Sequence, residues 1–173
     1  MKFGSDQMTN KKIALICLII FWMSLIFSFS SQTAKKSESL SDNVTLVAID
    51  ITARLTNQDI SHNKQEKLIK QLRFYIRKTA HLSLYFVLGV LIFNLLKKYS
   101  INKQVLFSLI ICFLYACSDE VHQYFVMNRT ARLFDVLVDT LGSLIAILIC
   151  LLFQKIKKNS KSKKNQDTFV NKM

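Results

Sequence analysis

The chain contains no proline and only three glycines, Gly4, Gly89 and Gly142, among its 173 residues. Proline interrupts a helix by removing an N–H and crowding the preceding turn, and glycine weakens one through backbone entropy. Their scarcity leaves long segments with no built-in break, so a bundle of uninterrupted helices is expected. The four cysteines, Cys17, Cys112, Cys117 and Cys150, all fall inside apolar runs and form neither a CxxC pair nor a metal-type spacing. They read as small core or lipid-facing residues, and disulfides are not expected at those depths. No HExxH motif is present. Acidic residues are few, 11 against 24 basic ones, for a net charge of +13. That excess does not point to nucleic acid, because the lysines gather at the edges of apolar segments and not on a basic face with interleaved aromatics.

What is present is apolar sequence. Hydrophobic residues make up 51% of the chain, and the mean hydropathy is +0.26. A bilayer-spanning helix needs about 20 mostly apolar residues. Four stretches approach this: 13–29, 81–96 with the helix leading into it, 105–117 continuing into DEVHQYFV, and 133–153. The expected fold is an all-α membrane protein, a bundle of four transmembrane helices with an amphipathic helical outer loop. Residues 1–12 form a cytoplasmic N-terminus, 13–153 the membrane domain including the outer segment 31–79, and 154–173 a basic cytoplasmic tail. The alternative for the first stretch is a cleaved signal peptide, with Lys11 and Lys12 before it and Ser28 and Ser30 as small residues near its end.

Orientation follows the density of basic residues. Lys97, Lys98, Lys155, Lys157 and Lys158 sit at span ends, which places both termini in the cytoplasm and segments 31–79 and 119–132 outside. Within 31–79, Ser41 and Asp42 are plausible helix caps, and Val44, Val47, Ile51 and Leu55 recur at helical spacing. This predicts an amphipathic helix on the outer membrane surface. A further helix is expected to run from Asn63 straight into the second span. The segment KIKKNSKSKKNQ after residue 154 reads as a disordered basic tail near anionic lipid.

Residues three and four apart share a helix face. On the second span Lys78, His81, Tyr85 and Gly89 form one such stripe; on the third, Tyr115, Asp119 and His122; on the fourth, Arg132, Asp135, Asp139, Gly142 and Ala146. Ionisable groups at membrane depth cost on the order of a few kcal/mol each, so they normally turn toward one another or into the bundle. The stripes therefore converge on one cup, with Gly142 and Ala146 allowing close helix approach. One reading is interhelical glue, pairing Asp135 with Arg132 or Arg129 and Asp119 with His81 or Lys78. The other is a binding site, favoured because glue does not require every polar group at one membrane face.

RKTAHLSLYFVLGVL, YACSDEVHQYFVMNRTARLFDVLVDTLGS and the SFSSQ ending the first span resemble the VanZ-like family of bacterial integral membrane proteins. The resemblance covers roughly residues 13–153. Its signature residues fall at Gln32, Lys78, His81, Asp119, Glu120, His122, Gln123, Arg129, Asp135 and Asp139. Met127 and Asn128 stand where the family often has proline and glycine. The resemblance implies a cell-membrane protein linked, in the founding member, to tolerance of the glycopeptide antibiotic teicoplanin.

Three function classes compete. The favoured one is a non-enzymatic outward-facing cup that binds a lipid or envelope headgroup, a lipid-linked envelope precursor or a lipoglycopeptide. Its binding residues would be Gln32, Lys78, His81, Asp119, Glu120, His122, Gln123, Arg129 and Asp139, with Lys78 and Arg129 as anion donors. The second is a membrane enzyme acting on a lipid phosphate or pyrophosphate. Arg129-x5-Asp135-x3-Asp139 copies a lipid-phosphatase spacing, with Asp135 in the nucleophile position and His122 and Asp119 as its partners. A metal variant of it would use Asp119, His122, His81 and Asp139, although the expectation is no metal and no cofactor. The third, transport, is disfavoured, because 86–96, 105–114 and 143–153 contain no Asp, Glu, Lys, Arg or His.

Overall fold

The computed structural model of the chain describes residues 3–56, 62–127 and 132–170. Five helices follow one another: α1 Phe3–Ser30, α2 Ala34–Thr56, α3 His62–Leu95, α4 Ile101–Tyr124 and α5 Leu133–Val170. Four of them are long and apolar enough to cross a membrane, over Asn10–Ser30, Gln71–Leu95, Ile101–Tyr124 and Leu133–Ser160. The protein is therefore an all-α multi-pass membrane protein, with α2 set between the first and second spans.

Helix α3 is the hub. It packs against every other helix and most extensively against α5, whereas α1 packs mainly on α3 and α4, and α2 mainly on α3. The α3–α5 contact is close because at each of two points one helix has a glycine, Gly89 of α3 and Gly142 of α5, against the backbone of the other. A Cβ added to Gly89 would lie 2.9 Å from the Ser143 backbone and 3.1 Å from Ala146 Cβ, and one added to Gly142 would overlap the Leu82 carbonyl. The close approach expected from these small residues is borne out, since lipid tails supply no hydrophobic drive and backbone proximity must supply van der Waals contact instead.

The core is built from Tyr85, Leu88 and Ile92 of α3, Cys112 and Ala116 of α4, Val136 of α5, and Ile19 and Ile26 of α1. Polar groups within it reach across to neighbouring carbonyls. The Trp22 indole donates to Leu84 at 2.9 Å, the Tyr115 hydroxyl to Met23 at 2.7 Å, the Gln104 amide to Phe93 at 2.7 Å and the Ser143 hydroxyl to Tyr85 at 3.0 Å. Each bond satisfies a donor that lipid would leave bare. Because α1 joins the core in this way, it behaves as a structural span of the bundle. Its outer face, including Ile13, Ile20 and Phe21, is exposed, as is Leu114 on α4 and Leu148 on α5, which gives the apolar perimeter that hydrocarbon requires.

Two expectations change in detail. Helix α5 continues to Val170, where an unstructured tail was expected. From Ser143 to Val170 there is neither proline nor glycine to stop it, and lysine and glutamine are good helix formers. Helix α2 begins at Ala34, ahead of Ser41 and Asp42. It buries Ser41, Thr45 and Ile49 at four-residue spacing and leaves Val44, Val47, Ile51 and Leu55 exposed. The Ser41 and Thr45 hydroxyls donate to the carbonyls of Ser37 and Ser41, at 3.0 and 2.9 Å. A face bearing hydroxyls thus packs on protein without orphaned donors, while the apolar face stays free for the bilayer surface. Arg73 ties α2 to α3 through both oxygens of Asp42, at 2.8 Å each, and through Glu38 at 3.3 Å.

Candidate functional site

The polar stripes meet where α1 and α4 end and α5 begins. Asp119, a helical turn before the end of α4, is 2% exposed. Its Oδ2 accepts from the Ser30 hydroxyl at 2.8 Å and from the Gln123 amide at 2.9 Å. Both donors lie on facing helix ends, so they fix the carboxylate's rotamer and leave Oδ1 without a hydrogen-bond partner. Asp139 of α5, also 2% exposed, places its Oδ1 3.6 Å from His81 Nδ1 on α3. No hydrogen-bond partner reaches that oxygen either. The third buried carboxylate, Glu120, accepts through Oε1 from the Arg132 backbone N–H. That donor opens α5, where a carboxylate satisfies an orphan N–H and complements the positive end of the helix dipole. Its second oxygen, Oε2, is buried without a partner.

Lys78 reaches across from α3 to Asp135 in the first turn of α5 and forms an ion pair with it. Phe74 and Phe134 flank the ammonium, their ring centroids 5.5 and 5.9 Å away, an arrangement that favours a cation. Among the described residues Asp135 therefore pairs with Lys78 and not with Arg132, because α3 is the neighbour packed against α5. Lys78, expected as an anion donor, is taken up in this pair. Arg129 lies outside the described residues.

His122 turns to α1. Its Nε2 lies 2.9 Å from the Ser31 hydroxyl, and its ring stacks on Phe27 with centroids 4.0 Å apart. Of the four residues in the metal variant, the fold brings together His81, Asp119 and Asp139, whose ligating atoms all lie within 4.8 Å of one another, and turns His122 to Ser31 and Phe27 of α1. Ser30 and Ser31 were not foreseen as site residues. Hydroxyls are common in such spans, and the one sequence signal was their place in SFSSQ at the end of an apolar run.

Beside this polar cluster runs a groove of about 410 Å³ between α1, α2 and α3. Trp22 and Phe29 line it from α1, Leu40 and Val44 from α2, and Ile76, Ala80, Leu84 and Val87 from α3. Gln32, Arg77 and His81 are its polar members near the cluster. Along α3 from Ile76 to Val87 it extends about 16 Å at 1.5 Å per residue, roughly half the ~30 Å hydrocarbon core. Arg77 was not singled out from the sequence, although it stands four residues before His81 and so shares a helix face with it; the packing of α2 makes that face a groove wall.

Comparison with known proteins gives one match: the family described as VanZ/LLP1 covers residues 15–154. No curated protein and no solved structure matches.

Proposed function

The chain belongs to the VanZ/LLP1 family, and from that premise we propose that it holds a lipid-linked amphiphile of the outer leaflet, contributing in this way to tolerance of teicoplanin-type lipoglycopeptides. The cup takes the polar headgroup and the adjoining groove takes the chain. The observation that carries this reading is that His81 belongs to both: it lines an apolar groove about one leaflet deep, together with Gln32 and Arg77, and it is a member of the buried polar cluster with Asp119 and Asp139. A soluble ligand would need no such channel, and a site for lipid alone would not need buried carboxylates. Arg77 takes the anion-binding role expected of Lys78, because the Lys78 charge is already balanced by Asp135. The reading places the protein in the cell membrane with both termini in the cytoplasm, in keeping with the lysines at 97, 98 and 155–158.

The test is expression in a susceptible Gram-positive host. Teicoplanin carries an acyl chain that anchors it in the outer leaflet, and vancomycin lacks one. The protein should raise the inhibitory concentration of teicoplanin several-fold more than that of vancomycin. Ala80→Phe, which fills the groove without touching any polar member of the cup, should remove the difference. Equal protection against both drugs, or protection that survives the filled groove, would sink the reading.

A further inference from the structure

We propose that His81, Asp119 and Asp139 form a binding site for one divalent cation of the Zn²⁺ or Mn²⁺ kind. The proposal concerns the protein itself and stands whether or not an amphiphile occupies the groove.

The first observation is geometric. One imidazole nitrogen from α3 and one carboxylate oxygen each from α4 and α5 lie within 4.8 Å of one another. Ligands bound at about 2.1 Å in tetrahedral geometry lie about 3.4 Å apart, so binding would draw these atoms together by up to about 1.4 Å.

The second observation is independent of the cluster itself. Asp119 and Asp139 are each 98% buried, each contributes a carboxylate oxygen to the cluster, and each has an oxygen, Oδ1, without a hydrogen-bond partner. A fully buried tyrosine hydroxyl, that of Tyr85 one turn along from His81, likewise has none. Buried polar atoms are nearly always satisfied, and two carboxylates sharing a site repel one another. Lys78 is paired with Asp135, and Arg73 with Asp42 and Glu38. Among the described residues, no lysine or arginine pairs with Asp119 or Asp139, and the basic side chain beside Asp139 is the His81 imidazole at 3.6 Å. A divalent ion balances both carboxylates and occupies the orphaned lone pairs.

The surroundings suit such an ion. Ser30 and Gln123 both donate to Oδ2 of Asp119 and so hold its carboxylate in place, the support that metal ligands generally receive. One nitrogen and two oxygen donors with no thiolate match Zn²⁺ or Mn²⁺. Ca²⁺ takes six to eight oxygens and is a poor fit. Three protein ligands leave at least one coordination position open, on the side where His81 borders the groove.

The test uses the full chain in detergent, stripped with a chelator and titrated calorimetrically with ZnCl₂, MnCl₂ or CaCl₂ alone, with native mass spectrometry counting bound ions. One Zn²⁺ or Mn²⁺ per chain is expected, accompanied by a rise in melting temperature. Asp119→Asn and Asp139→Asn should each weaken binding roughly tenfold or more, while Asp50→Asn, an exposed carboxylate paired with Arg54 on α2, should stay within about twofold. Melting of the variants in chelator separates lost ligation from lost folding, because relief of carboxylate repulsion should leave it unchanged or raised. His81→Gln supplies a third ligand change should one carboxylate variant misfold. No saturable binding of Zn²⁺ or Mn²⁺, or wild-type affinity in all three ligand variants, overturns the proposal.

Discussion

The two halves of the bundle solve the same problem in opposite ways. In the half carrying residues 86–96, 105–114 and 143–153 there is no Asp, Glu, Lys, Arg or His. Its helices are held by backbone proximity at Gly89, Ser143 and Ala146 and by single hydrogen bonds such as Gln104 to the Phe93 carbonyl. In the other half, buried carboxylates from α4 and α5 share space with His81 and Lys78 of α3. Among the described residues, the buried side-chain polar atoms without partners are those of Tyr85, Asp119 and Asp139, on the polar stripes, and of Glu120, next to Asp119. Stability asks for the first arrangement: close packing with satisfied groups. The second departs from it at a cost, and such departures concentrate where a protein binds something.

The contrast has a direction across the bilayer, and that direction can be broken outright. In a background with the native cysteines replaced, Met127→Cys should react with an impermeant thiol reagent on intact cells. Met127 follows α4 at the cup end and is exposed. Ser160→Cys, near the far end of α5, should not react until the cells are opened. Labelling of the Ser160 variant alone would put the cup in the cytoplasm and remove the basis for an outer-leaflet ligand.

The scaffold half should then be the more sensitive to bulk. Gly89→Leu drives a side chain into the Ser143 backbone, which cannot yield as a flexible side chain does. Overpacking of this kind destabilises by about 1–3 kcal/mol and occasionally more; the upper end is expected here, read as a lower melting temperature in detergent. Gly89→Ala should fall lower in the same range. A melting temperature unchanged by leucine would mean that α3 and α5 do not cross at this point.

How far these halves could be read from sequence differs for physical reasons. The spans were legible because about 20 apolar residues can hardly be anything else in a chain without helix breakers. The polar stripes were legible because i, i+3 and i+4 fix a common face. The pairing between stripes was not. Lys78 with Asp135, His81 with Asp139, and Asp119 with Ser30 all depend on which helices are neighbours and how each is rotated, and spacing along one helix carries neither. His122 shows the limit most plainly: three residues from Asp119, it falls on the same side of α4, yet it contacts Ser31 and Phe27 of α1. The groove was illegible altogether, since it exists only because α2 lies over α1 and α3.

The finest distinction lies inside the polar half, between charges that hold the helices and charges that hold a ligand. Asp135 belongs to the first kind. Asp135→Asn leaves Lys78 without its counter-charge between two aromatic rings. Losing one partner of a fully buried pair costs about 3–5 kcal/mol. The side chains here are 12% and 19% exposed, so water screens part of the loss and about 2 kcal/mol is the expected cost. On the proposed function Glu120 belongs to the second kind. Glu120→Gln keeps an oxygen for the Arg132 N–H and removes only the charge at the unpartnered oxygen, so melting should change by less than about 0.5 kcal/mol while teicoplanin tolerance falls. Thermal melts of the two variants beside wild type in detergent decide the matter. Equal losses would mean that Glu120 is also part of the framework. The binding function would then contract to His81, Asp119 and Asp139, the groups whose buried oxygens and ring nitrogen converge on one another.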